Sequence, residues 1–162
     1  MVETTKNGEA LWRFALALWK RPGVERAALL LQDQHGISVC LLLAALWLAR
    51  EGVAPEAGLA GALRDEAEKW ERERIGPLRQ LRRLASSRPQ WGDWQRSLQD
   101  AELEAERLLL AELAAAAGAR PLPRAAQPEN AHAWLLTVLP EMASCENLAA
   151  ATQALLAEAA QP

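Results

Sequence analysis

A run of thirteen residues, Ile37 to Ala49, is apolar except for Ser38, and it limits the fold more than any other stretch of the chain. A helix made from it is apolar on every side and has to be enclosed by other elements. Thirteen residues fall short of the ~20 needed to span a bilayer, so the segment reads as a core helix. The flanking residues agree. Gly36 can end one helix in the left-handed conformation, Ser38 can cap the next, and Arg50 followed by Gly52 can close it. Gln32, Asp33 and His35 stand at this junction and are expected to lie near the core.

The rest of the chain is built from helix formers. Ala, Leu, Glu, Arg and Gln dominate, Val, Ile and Thr are sparse, and there is one Phe and no Tyr. The expected fold is all-α, a single-domain bundle of about six or seven helices, and 162 residues suffice for a core without disulfides or metals. Apolar spacing predicts helices at Glu9–Lys20, Val24–His35 and Ser38–Glu51. A long charged helix follows at Leu59–Ser86, broken or kinked at Gly76-Pro77, then another at about Trp91–Ala117 that Gly118 stops. The last two should pair as an antiparallel hairpin. Pro121, Pro123 and Pro128 mark residues 119–128 as a connector between a core at 1–118 and a C-terminal helical pair at 129–162, expected to pack on that core. The pair would comprise Glu129–Leu139 and Cys145–Ala160, the latter capped by Ser144.

Charge is unevenly spread although the net value is only -3. Residues 72–88 carry Arg72, Arg74, Arg79, Arg82, Arg83 and Arg88 against Glu73 alone, and residues 93–112 answer with six acids against Arg96 and Arg107. Interhelical ion pairs within the hairpin explain this pattern, each worth at most ~1 kcal/mol if exposed. The functional reading is a partner surface made of Arg72, Arg79, Arg82, Arg83 and Arg88 with Trp91 and Trp94, which flank Gly92 in a turn. The other tryptophans, Trp12, Trp19, Trp47, Trp70 and Trp134, fall at core spacing, with Asp33 or Gln32 as expected partners for an indole N–H.

Catalytic chemistry has no positive support. Two histidines, no Cys-x-x-Cys and no His-Glu-x-x-His argue against a metal, and Glu102 with Glu106, which share a helix face, read as solvated acids. The aspartates are isolated, unlike the paired motifs of isoprenoid synthases, and no glycine loop for phosphates or nucleotides occurs. No cofactor is expected. A carboxylate and an imidazole close together can share a proton or hold a ligand, so Gln32, Asp33 and His35 form the candidate pocket, weighed against a purely structural role at the helix end. Cys40 and Cys145 read as small buried residues of a reducing compartment. With acids and no apolar run before Leu11, the N-terminus is unlike a secretory signal, and a cytoplasmic location follows as the expectation.

The run from Phe14 to Ala49 contains Arg21-Pro22-Gly23-Val24, Leu31-Gln32-Asp33, His35-Gly36, Val39 and Leu41-Leu42-Leu43 before Trp47. With Trp70 and Pro77-Leu78-Arg79, it resembles the signature of small uncharacterised proteobacterial proteins classed as a domain of unknown function, over about residues 9–115. The chain departs from that pattern at Ser38 and Cys40, where Asp and Asn are frequent. The resemblance implies a bacterial, cytoplasmic, helical protein and carries no activity. The leading expectation is therefore an interaction or regulatory protein that binds another protein, with a homodimer open. An RNA- or ribosome-associated binder is the alternative, and a small-ligand pocket or enzyme the third reading.

Overall fold

The computed structural model describes residues 2–119, 130–139 and 146–160. Its first three helices are α1 (Val2–Trp19), α2 (Val24–His35) and α3 (Val39–Arg50). The α2–α3 junction is built as its residues dictate. Gly36 sits at φ 64°, and its N–H and that of Ile37 satisfy the last carbonyls of α2, at Gln32 and Leu31. Ser38 Oγ then accepts from Leu41 N at 3.3 Å, capping α3. Every residue from Cys40 to Leu48 is buried, which makes α3 the central rod.

Next comes a rod of three parts. α4 (Ala57–Trp70) passes without a break through a π-helical turn, Glu71–Ile75, into α5 (Gly76–Ala85). The break expected at Gly76-Pro77 is thus a π bulge. A proline within an α-helix collides with the carbonyl four residues earlier, and the wider turn just before Pro77 lets the rod continue. Gly76 donates its N–H to Glu71 O, and a Cβ there would stand 2.4 Å from that oxygen, so the bulge requires glycine. A short 3-10 turn, Pro89–Trp91, leads into α6 (Gly92–Gly118). Gly118 ends α6 without taking the left-handed conformation, which among the described residues only Gly23, Gly36 and Gly52 adopt.

The remaining helices are α7 (Asn130–Val138) and α8 (Glu146–Ala159). With the α4–α5 rod counted once, the described residues form seven helical rods and no strand, an all-α bundle. α6 lies along α1, α4 and α5, α7 packs on α3 and α4, and α8 packs on α2. Arginines of the earlier helices bind the ends of the last two. Arg64 donates to Val138 O and Thr137 O at 3.0 and 2.8 Å, and Arg21 donates to Glu158 O. These carbonyls have no partner within their own helices, so each guanidinium caps a C-terminus. The predicted 119–128 connector, apart from Ala119, lies outside the described residues, as do Ser144 and Cys145.

Two expectations about the interior need correction. Trp47 and Trp134 are buried, but Trp12, Trp19 and Trp70 only border the core. Neither Asp33 nor Gln32 receives an indole N–H: Trp134 donates to Val53 O at 2.7 Å, and Trp70 donates to Glu66 Oε1 at 3.0 Å. Among the described residues no helix is long and apolar enough to cross a membrane.

Candidate interaction arm

α5 and α6 form the expected hairpin, and the principal neighbours of α5 are α6 and the π turn. The distal part of the pair is an arm that leaves the main core. Its α5 strand of the hairpin is amphipathic in an unexpected sense. Arg79 and Arg82 turn inward onto α6, while Leu81 and Leu84 are 42% and 53% exposed. An apolar helix face normally goes to the core. Here the ion pairs, with Leu78 and Ala85, take that position, and Leu81 and Leu84 face water.

The inward arginines bond two acids at the root of the arm. Arg79 Nε donates to Glu102 Oε1 at 3.0 Å and its Nη1 bonds Glu71, on the π turn. Arg82 Nε bonds the other oxygen of Glu102. The side chains of Arg79 and Glu102 are 11% and 9% exposed, so the pair is buried and strongly coupled. Burial works against the charge of Arg79, but Glu71 and Glu102 more than offset it and raise its pKa. Glu106 follows one turn after Glu102. Burial first, and then the charge of Glu102, push its carboxyl from the ordinary 4.5 up to about 7. The reading of Glu102 and Glu106 as solvated acids is therefore overturned. Helical spacing had put them on one face without revealing that Arg79 and Arg82 would bury that face.

Cys40 of α3 closes the network, its Sγ donating to Glu106 O at 3.9 Å. Burial, then Glu106 and Glu71, raise the thiol pKa well above its usual value. It stays a thiol, unsuited to nucleophilic attack, which requires the thiolate. Among the described residues no group of three His, Cys, Asp or Glu could hold a metal ion.

The end of the arm has a different character. From Leu81 through Gly92 the chain has three arginines and no acid. Trp91 and Trp94 make an edge-to-face pair with centroids 5.8 Å apart, Arg88 lies 4.9 Å above the Trp91 ring, and Trp94 is 41% exposed. This network and the arm tip all lie within residues 10–113, the span that matches DUF2390, described as a protein of unknown function. The chain belongs to the DUF2390 family. No curated protein and no solved structure matches it.

In this DUF2390 protein the other candidate residues are dispersed. Asp33, expected near the core, has a side chain 56% exposed and accepts from Arg83 at 3.2 Å, tying the end of α2 to the arm. Gln32 is half-buried in the last turn of α2. His35 is exposed and borders a half-open cavity of about 530 Å³, to which Ser38, Arg64, Glu68, Glu71 and Arg72 contribute polar groups. Gln32 and Asp33 do not line that cavity, so the three residues share no pocket. Arg72 is exposed beside Glu73. Of the five arginines assigned to a partner surface, Arg79 and Arg82 are taken up by acids, whereas Arg72, Arg83 and Arg88 remain at the surface.

Proposed function

We propose that this DUF2390 protein is an interaction module that offers the end of the α5–α6 arm to an acidic surface of another protein. The observation that carries the reading is the arm tip: Leu81, Leu84 and Trp94 are exposed, Arg88 lies over the Trp91 ring, and residues 81–92 hold no acid. Trp and Arg are the residues on which interface energy concentrates, and exposed leucines beside them supply apolar area. Arg88, which has no ion pair among the described residues, gives the patch a sign that an acidic partner would complement. A cytoplasmic setting belongs to the same reading.

The geometry supports a protein partner over RNA. Phosphate binding draws on several free cations, and four of the five expected arginines, Arg72, Arg79, Arg82 and Arg83, already face carboxylates. The test compares capture by the full chain and by an Arg88→Glu/Trp94→Ala variant from extract of the source cells, with and without nuclease. A stoichiometric partner that survives nuclease, is lost with the variant and presents an acidic surface supports the reading. Equal capture by both chains removes the arm from the interaction, and loss on nuclease treatment transfers the tip to RNA. Light scattering of the purified chain decides the homodimer, for which the tip variant should dissociate a dimer.

A further inference from the structure

The half-open cavity of about 530 Å³ beside the π turn carries two opposite charges that do not meet each other. Arg64 and Glu68 both line it, four residues apart on α4, a spacing at which an arginine and a glutamate can pair. They do not pair. Arg64 gives Nε and Nη2 to the carbonyls of Val138 and Thr137, its Nη1 has no hydrogen bond among the described residues, and neither Arg64 nor Glu68 has an ion pair there. The two bonds to α7 hold the half-buried guanidinium on the cavity wall while no carboxylate matches its charge. The start of α3 adds to the positive side: Ser38 lines the cavity, and the N-terminal end of a helix favours an anion. Of the other charged groups in the wall, Glu71 is bonded to Arg79 and Arg72 lies beside Glu73. The rest of the lining is apolar, with Leu41, Ala67, Val138 and Leu139 all buried.

We propose that this cavity binds a small apolar zwitterion, a free amino acid or short peptide whose carboxylate meets Arg64 and the start of α3, whose ammonium meets Glu68, and whose side chains lie on the apolar lining. A ligand of one charge would be drawn to one of these groups and repelled by the other, whereas a molecule with both charges matches each. Arg64 is already fixed by α7, so little of its freedom is lost when a carboxylate arrives. The volume and the mixture of apolar wall with a few placed polar groups are those of a small-molecule site. The π turn contributes Glu71 and Arg72 to the wall, and π bulges occur frequently at functional sites. Gln32 and Asp33 take no part, which separates this site from the pocket expected around them. The site does not depend on what the arm tip binds.

Calorimetric titration of the full-length chain with L-leucyl-L-leucine, with L-leucine, and with the dipeptide blocked at either end tests the proposal. The free dipeptide should bind, and the N-acetyl and C-terminal amide forms, each lacking one charge, should bind about tenfold more weakly or worse. Leucine binding as tightly as the dipeptide assigns the site to a free amino acid, and weaker binding assigns it to a peptide. Amide shifts on binding should move at Ser38, Leu41 and Arg72, which places the ligand in the cavity. Glu68 is exposed, so Glu68→Gln leaves the fold in place, and it should weaken the free dipeptide about tenfold while leaving the N-acetyl form unchanged. Absence of binding by both free probes up to about 10 mM, equal binding of the blocked forms, or shift changes away from the cavity overturns the proposal.

Discussion

Replacing Arg79 by Met tests the central claim about the arm, that its helices are joined through buried charge. Met keeps most of the volume and stem of arginine while removing its donors. Arg79 bonds both Glu71 and Glu102, and its side chain is 11% exposed, so its loss leaves two acids in a confined site already crowded by Glu106. Removing one partner of a buried pair costs about 3–5 kcal/mol, against ~1 kcal/mol or less for an exposed pair. The lower part of the buried range applies here, about 3 kcal/mol, because Arg82 still bonds Glu102. Urea unfolding at neutral pH measures it, alongside Glu102→Leu and the double variant. The double variant should recover a large share of the loss, since it removes the stranded acid together with its counter-ion. A cost below about 1 kcal/mol for Arg79→Met, or simple additivity of the two changes, would refute the buried-network reasoning.

Four further outcomes are expected. Glu106 has a folded pKa raised from 4.5 to about 7, so the folded state holds a proton that the unfolded chain has released between those values. Its contribution to stability is therefore present below about pH 4.5 and lost as pH rises through about 7, up to roughly 3 kcal/mol in all. Glu106→Gln should accordingly match the parent protein in mild acid and exceed it at pH 8, and unfolding curves at the two pH values check the sign. Gly76→Ala, which puts a Cβ 2.4 Å from Glu71 O, should destabilise the chain by about 2 kcal/mol or more, with the loss seen as a lowered urea midpoint. Arg64→Ala removes two charged hydrogen bonds from the end of α7 and should cost about 1.5–3 kcal/mol, accompanied by faster amide exchange in α7. Trp94→Ala should shift the unfolding midpoint little, within about 0.5 kcal/mol, since the ring is exposed, so any loss of partner capture it causes is not a loss of fold.

The α2–α3 junction was readable residue by residue because each signal there is local. A glycine that must take positive φ, a serine that caps, and an unbroken apolar run leave few alternatives, and Gly36, Ser38 and Cys40–Leu48 occupy the places those properties assign. The hairpin was readable as a pairing of opposite charge, and Arg79 and Arg82 do meet Glu102. Its orientation was not readable. On α5 Leu81 and Leu84 lie away from the face of Arg79 and Arg82, and the usual assumption sends such leucines inward, yet both face solvent. Helical period distinguishes two faces without saying which one a partner helix covers. The π bulge was hidden in a similar way, since Gly76-Pro77 announces an interruption but not its kind. At Asp33, proximity in sequence to the core helix suggested burial, but Gly36 redirects the chain just after it and Arg83, fifty residues away, draws the carboxylate to the surface.

The sequence by itself determined the all-α class, the central position of α3 and the sign of charge along the arm, because propensity, capping and apolar period are properties of short segments. Only the tertiary structure decided which charges are buried. Glu71, Arg79, Glu102 and Glu106 come from three separate elements, and the solvation of each depends on how closely the others approach, a quantity that no local stretch of chain contains.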